Sequence, residues 1–336
     1  MVPALTELHL HLDGSLYLPW AYETAKRQKA VKDDCTFEDF YMMMYRTDYK
    51  TTEEAFLKFD LTCACMQTKK DLHDSVYYLA RELQDLGIIY AEVRFASQQH
   101  CLGGLSQDEV VSAVLSGVSD AARDYPRVMI RIINCLMHKG NSAKDNDAQN
   151  RETIEVTGKY LGKGVVGLDL AGYENNCPFE EYAYLFEIAR GYGIPYTIHA
   201  GEMGEGKHVM QALDMHADRI GHGIDCVQDE SWLKRIVEEQ VPLEVCPTSN
   251  LSFGFTYVSH PVRQLLEAGA KVTINSDNMM FSQTCASNEY LILSRMGVSD
   301  AQLMQCTYNA IDAAFCTEEE KKDLRRRAAE IYADHH

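Results

Sequence analysis

No run of about 18 consecutive apolar residues occurs in this chain, which argues on length against a membrane-spanning helix. Its first residues lack a basic start followed by an apolar run, so no secretory signal is expected. Positive charge is scarce: 32 Lys and Arg stand against 50 Asp and Glu, a formal net charge of −18. Such a field repels nucleic acid backbones and anionic membranes and leaves small neutral or cationic ligands as partners. There is no Pro/Ser-rich linker, composition shift or fixed-period repeat to divide the chain. The 11 cysteines are scattered and odd in number, which suits reduced thiols in a cytoplasmic protein better than a disulfide framework.

What is present is a regular alternation. Eight short β-rich runs lie at Glu7–Leu12, Ile88–Ala96, Val128–Met137, Val165–Ala171, Pro195–Ala200, Arg219–Ile224, Leu243–Cys246 and Val272–Ser276. Several are almost continuously apolar, as parallel strands buried on both faces are. Helical patterns lie between them. The clearest is Lys69–Leu86, with Leu72, Val76, Leu79, Leu83 and Leu86 at helical spacing and Gly87 as a stop. Weaker ones run over Pro178–Arg190, Gln211–Ala217, Asp229–Glu239 and Pro261–Ala268. Strand then helix, repeated eight times, predicts an α/β fold of the (β/α)₈ TIM-barrel type, with an open doubly wound sheet as the alternative. One domain over residues 1–336 is expected. The longest interruption, Trp20–Thr68, contains the helix-like Glu53–Cys65 and predicts extra helices between the first two strands.

Three motif matches are set aside. Gly162, Gly164 and Gly167 fit G-x-G-x-x-G but lead into a strand instead of following one. Asn250-Leu-Ser252 fits a glycosylation sequon that a cytoplasmic chain does not use. Cys63-Ala-Cys65 falls on a helical pattern with no partner pair and is not read as a metal site.

In a barrel, the C-terminal ends of the strands converge on one mouth. The first strand ends with His9, His11 and Asp13, whose period-2 spacing sends them to one side. The fourth ends in DLAG with Gly172, the fifth in IHAGE with His199 and Glu202, the sixth in GHG with His222, and the eighth in NSDN with Asp277 and Asn278. Singly, each has an ordinary reading: a core histidine, a helix N-cap for Asp277, a loop charge for Glu202. Jointly, they bring imidazoles and carboxylates to one place from five strands. His9, His11, His199 and Asp277 supply the nitrogen and oxygen donors that suit Zn²⁺.

LHLHLDGS, DLAG, HAGE, GHG, CPTSN and TINSD, in this order and spacing, resemble the adenosine deaminase family of metal-dependent amidohydrolases, from about residue 6 to residue 280. The resemblance implies a hydrolytic deaminase of a purine nucleoside. It implies one zinc per chain on His9, His11, His199 and Asp277, with Asp277, Glu202 and His222 as the catalytic groups. Glu202 would protonate N1 of the purine and His222 would orient the attacking water or help deprotonate it. Gly172 would present a backbone amide to a ring nitrogen, Asp13 would hold a ribose hydroxyl, and His11 would also face the substrate. Asn278 stands where many members carry a second aspartate, and its amide supplies a donor for N7 without protonation. The segment AFLKFD, residues 55–60, is similar to a family helix over the pocket, so Phe56, Leu57 and Phe59 are expected to wall the substrate.

Adenine deaminases of the family tend to carry glutamate where Asp13 stands, so a nucleoside is expected over the free base, with a 5′-modified nucleoside such as methylthioadenosine left open. Bimetallic amidohydrolases often use a lysine on a middle strand, and the fourth strand here offers Asp169 instead. The H-x-E…P-C-x-x-C deaminases are excluded because no P-C-x-x-C occurs. A barrel that only binds a metal or a partner would have had no need to keep both Glu202 and His222.

Overall fold

The computed structural model describes residues 2–45 and 52–334, and in the helix Thr52–Cys65 the side chains from Leu57 onward. Its eight strands are β1 (Thr6–His11), β2 (Tyr90–Phe95), β3 (Met129–His138), β4 (Val165–Gly172), β5 (Thr197–Ala200), β6 (Arg219–His222), β7 (Leu243–Val245) and β8 (Val272–Ile274). All pair in parallel, β1 to β4 in one run and β5 to β8 in another. Two bridges join the runs. Leu168 pairs with Tyr196 between β4 and β5, and Leu10 pairs with Asp277 just beyond β8. The sheet is therefore closed, and the fold is a (β/α)₈ barrel.

The strands form where the sequence is apolar on both faces. Every residue of β1 and of β2 is buried, one face against the outer helices and the other inside the barrel. Helix Lys69–Asp85 shows the complementary logic. Thr68 caps it by accepting from Asp71 N, and Leu72, Val76, Leu79 and Leu83 form its buried stripe. Among the described residues no helix is long and apolar enough to cross a membrane.

Several boundaries differ from the sequence expectation. The stretch between β1 and β2 holds the helices Leu18–Arg27, Phe37–Tyr45 and Thr52–Cys65 before Lys69–Asp85. The helix expected at Gln211–Ala217 runs instead over Lys207–Asp214, because His216 takes a left-handed φ of +61°. Pro178–Arg190 divides into a 3₁₀ turn, Phe179–Tyr182, and a helix, Ala183–Gly191. β6 stops at His222, where the chain turns left-handed through His222 and Gly223.

Candidate active site

A cavity of about 660 Å³ opens at the C-terminal mouth of the barrel. His11, Asp13, Gly172, His199, Glu202, His222, Asp277 and Asn278 all line it, with Phe59 from the helix Thr52–Cys65 on its outer side. His9 lies fully buried among them, its ring 4.5 Å from that of His199 and 4.6 Å from that of His222. Asp13 arrives by a different route from the expected one. β1 ends at His11, so the turn after the strand, not strand periodicity, carries Asp13 into the cavity. Leu57 is 62% exposed and does not line the cavity, because it sits on the opposite face of its helix from Phe59. The side chain of Phe56 lies outside the described residues.

The imidazoles are oriented from behind. His9 Nδ1 lies 2.8 Å from Glu244 Oε2, and His199 Nδ1 lies 2.8 Å from Asp169 Oδ2. Burial opposes ionisation of both carboxyls. Arg94 and Arg219 nevertheless hold Glu244 well below the usual range, and His199 and Arg94 do the same for Asp169. An ionised carboxylate only accepts, so each Nδ1 is turned to it as a donor and each Nε2 is the ring nitrogen that faces inward. His9 Nε2 is buried without a hydrogen-bond partner.

The inward atoms have metal-site spacing. His11 Nε2 is 3.2 Å from His199 Nε2 and 3.4 Å from Asp277 Oδ1, and His9 Nε2 is 3.5 Å from the same oxygen. Donors held ~2.0–2.1 Å from a tetrahedral zinc lie about 3.3–3.4 Å from one another. Nitrogen and oxygen donors converging at these distances fit one cation held between them. His222 also comes near: ligand atoms of His9, His199, His222 and Asp277 fall within 4.8 Å of one another.

Two of these residues hold costly backbone conformations. Asp277 has φ +59° and His222 φ +60°, a region that costs non-glycine residues ~1–3 kcal/mol. Asp277 is kept there by two backbone bonds, its N–H donating to His9 O at 2.9 Å and its carbonyl accepting from His11 N at 2.8 Å. Ser249 Oγ donates to its Oδ2. Gly221, beside His222, is required by space. A Cβ there would lie 3.1 Å from both His199 Cα and His9 Cε1.

Glu202 faces the cluster, its Oε2 3.3 Å from His222 Nε2. Burial raises its pKa well above the ordinary value, and the negative charges of Asp277, Glu174 and Asp225 add to the rise. Both effects favour the protonated carboxyl over the carboxylate. Its loop is braced by Glu174, which accepts from the backbone N–H groups of Gly201, Glu202 and Met203 at 2.9, 3.2 and 2.7 Å.

Sequence reasoning had not found Glu174, Glu244, Arg94, Ser249 or Asn250 as site residues. For Ser249 and Asn250 a signal existed, since both lie within the CPTSN motif. Asn250 is fully buried and ends a directional chain. Val262 N–H donates to His260 Nδ1 at 3.2 Å, so His260 Nε2 carries the proton. That nitrogen lies 3.1 Å from Asn250 Oδ1, and Asn250 Nδ2 lies 3.1 Å from His222 Nδ1. His222 Nδ1 therefore accepts. Burial, with His9 nearby, holds His222 well below its ordinary pKa, so the ring is neutral with its proton on Nε2.

A closed parallel barrel whose mouth gathers imidazoles, carboxylates and a buried acid around one cavity defines a metal-dependent hydrolase of the amidohydrolase type. Comparison with known proteins narrows the class. The adenosine deaminase family profile matches residues 4–331, and the chain belongs to that family. Adenosine deaminase from Haemophilus ducreyi is 37% identical over an alignment that covers 97% of this chain and 96% of that protein. Among solved structures, an adenine deaminase from Arthrobacter aurescens matches with a TM-score of 0.86 at 24% identity, over 98% of this chain and 99% of the other. An amidohydrolase from Burkholderia ambifaria with bound Zn matches with a TM-score of 0.86 at 23% identity, over 99% of this chain and 91% of the other. These two show likeness of fold.

Proposed function

We propose that this chain hydrolyses adenosine, and 2′-deoxyadenosine, to the 6-oxo nucleoside and ammonia, as one catalytic domain with one zinc ion, in the cytoplasm. The observation that carries the reading is the placement of Glu202: a buried carboxyl on the wall of the same cavity as a cluster of metal-type donors, 3.3 Å from His222 Nε2, where burial favours its protonated form. Aromatic C6 of adenine resists attack until N1 is protonated, and an acid that stays protonated near neutral pH is the group needed.

His9, His11, His199 and Asp277 are the residues we assign to the zinc. The short contacts of His11 with His199 and Asp277 and of His9 with Asp277 support this set, and although His222 lies as near, it is left out because its Nε2 carries the proton and its Nδ1 lone pair is taken by Asn250. Bound there, zinc supplies a Lewis acid that makes water nucleophilic at neutral pH. His222 then orients the water by donating from Nε2, a role its tautomer favours over proton removal. Asp277 would hold the ion and is also assigned to the catalytic groups. Glu202 gives its proton to N1. Gly172, at φ +107°, turns the backbone toward the purine, where a Cβ would press to 3.0 Å from His138 O. Asn278 packs its Oδ1 over Gly14, which leaves its amide nitrogen as the donor for N7. Asp13, 4% exposed at the cavity wall, accepts from a ribose hydroxyl. Phe59, packed edge-on against Phe281 at 4.9 Å, shields the nucleoside from water.

The test is a spectroscopic deamination assay on zinc-loaded protein, with adenosine and adenine separately, each with and without chelator. Chelator-sensitive turnover of adenosine alone is expected. Turnover of adenine instead would overturn the role of Asp13, and silence on both would direct the search to 5′-modified nucleosides.

A further inference from the structure

The described residues bring one other set of metal-type donors together. Asp13, Cys63 and His100 are 4, 6 and 0% exposed, and a ligand atom from each lies within 4.8 Å of the others. They come from the turn after β1, from the helix Thr52–Cys65 and from the 3₁₀ turn Ser97–His100 that follows β2. The polar atoms are under-used. No ring nitrogen of His100 makes a well-aligned hydrogen bond, the Met66 backbone being its one polar neighbour, and Asp13 Oδ1 is unpaired. Such buried orphan atoms are costly unless something binds them. Burial pushes the His100 imidazole down to about 4 against the pull of the Met66 backbone, so the ring is neutral and carries a lone pair.

Spacing and access agree. Cys63 Sγ is 3.8 Å from Asp13 Oδ2 and 3.3 Å from Gln99 Oε1. A tetrahedral zinc with sulfur at ~2.3 Å and oxygen at ~2.0–2.2 Å separates such a pair by roughly 3.5–3.7 Å. The Cys63–Asp13 pair therefore needs a shift of only a few tenths of an ångström, and His100, within 4.8 Å of both, closes on them by up to about an ångström more. Asp13 and Gln99 both line the large cavity, so an ion reaches the cluster from the mouth of the barrel.

We propose that Asp13, Cys63 and His100, with Gln99 Oε1 as a fourth donor, form a second, inhibitory site for a divalent cation of the Zn²⁺ type. On binding, the Cys63 thiol releases its proton to solvent and the thiolate donates its electron pair to the ion. The ion takes the Asp13 carboxylate, so inhibition is competitive with nucleoside. That last clause rests on the ribose role given to Asp13, while the metal site itself does not.

The experiment starts from protein carrying one equivalent of zinc. Added Co²⁺ is expected to produce a thiolate-to-cobalt charge-transfer band in the near ultraviolet. The primary set has only nitrogen and oxygen donors, so this band reports the second site. Cys63→Ser should abolish it, and His100→Gln should weaken cobalt binding. Excess zinc should raise the apparent KM for adenosine and leave kcat unchanged. Cys63→Ser should need about tenfold more zinc or higher for the same inhibition, with unaltered turnover when no excess metal is present. Absence of the band, or its persistence in Cys63→Ser, overturns the site. A Cys63-dependent band in protein that deaminates no nucleoside keeps the metal site and overturns the functional reading instead.

Discussion

Arg94 Nη2 lies 2.7 Å from Glu244 Oε2, the same oxygen that faces His9 Nδ1. Its Nη1 lies 3.0 Å from Asp169 Oδ2, the oxygen that faces His199 Nδ1. One guanidinium on β2 thus links the carboxylates behind two imidazoles, on β1 and β5. Arg219 completes the network, reaching Glu244 at 2.6 Å and Glu92 at 2.7 Å. Every member is buried, so the charges depend on one another.

Arg94→Met is expected to leave Asp169 and Glu244 short of countercharge. Removing one partner of a buried ion pair typically costs ~3–5 kcal/mol. Loosened imidazoles should bind metal about 10–100-fold more weakly. Denaturant unfolding and metal titration measure the two effects separately. Unchanged metal affinity would show that packing alone sets the pose of His9 and His199.

Glu202→Gln removes the acid but no inward lone pair of the donor cluster. Metal content should be unchanged while kcat falls by about 10²–10⁴. The wild-type profile should also fall as pH rises through the raised pKa of Glu202, because the protonated form is the active one. An empty metal site in this variant would contradict the assignment.

Asp13→Ala should reduce kcat/KM for adenosine far more than for adenine. An ordinary hydrogen bond to a charged group is worth ~1.5–3 kcal/mol, roughly 10–150-fold. Equal losses on both substrates would remove the ribose contact.

Glu289 offers a pH test away from the metal donors. It accepts from Thr248 N at 3.1 Å and from Thr284 Oγ1, and burial raises its pKa from 4.5 to about 7. Between these values the folded protein holds a proton that the unfolded chain has released. Its contribution to stability is therefore largest at low pH, declines from 4.5 to about 7, and is flat above. The difference in melting temperature between wild type and Glu289→Gln, followed from pH 5 to pH 8, should show this slope; a constant difference would rule it out.

The donors of the site were legible in the sequence because each sits at the end of an apolar run, where a barrel must present it. His9, His11, His199, His222 and Asp277 needed only the strand count and the parallel arrangement. Their supports were not legible. Arg94, Asp169 and Glu244 look like isolated charges inside strands, and only closure of the sheet brings β2, β4 and β7 to the same interior. Asp13 was found for a partly wrong reason, since the turn beyond β1 and not the strand itself places it. The helices between β1 and β2 were seen only as one long interruption, because their apolar positions are divided among three short elements.

The junction of β8 with β1 has a consequence for how the molecule comes into being. Leu8 N–H donates to Asn275 Oδ1, and Ser276 N–H donates to Glu7 Oε2, across 267 and 269 positions of chain. The left-handed backbone of Asp277 is held by bonds of that same seam. Contacts of such high sequence separation carry the largest loop-closure entropy and form late. A chain still emerging from the ribosome thus has its histidines early but lacks the aspartate that completes their set. The cluster is thus complete only in a chain that has closed its barrel, and a chain lacking β8 is expected to show no deamination.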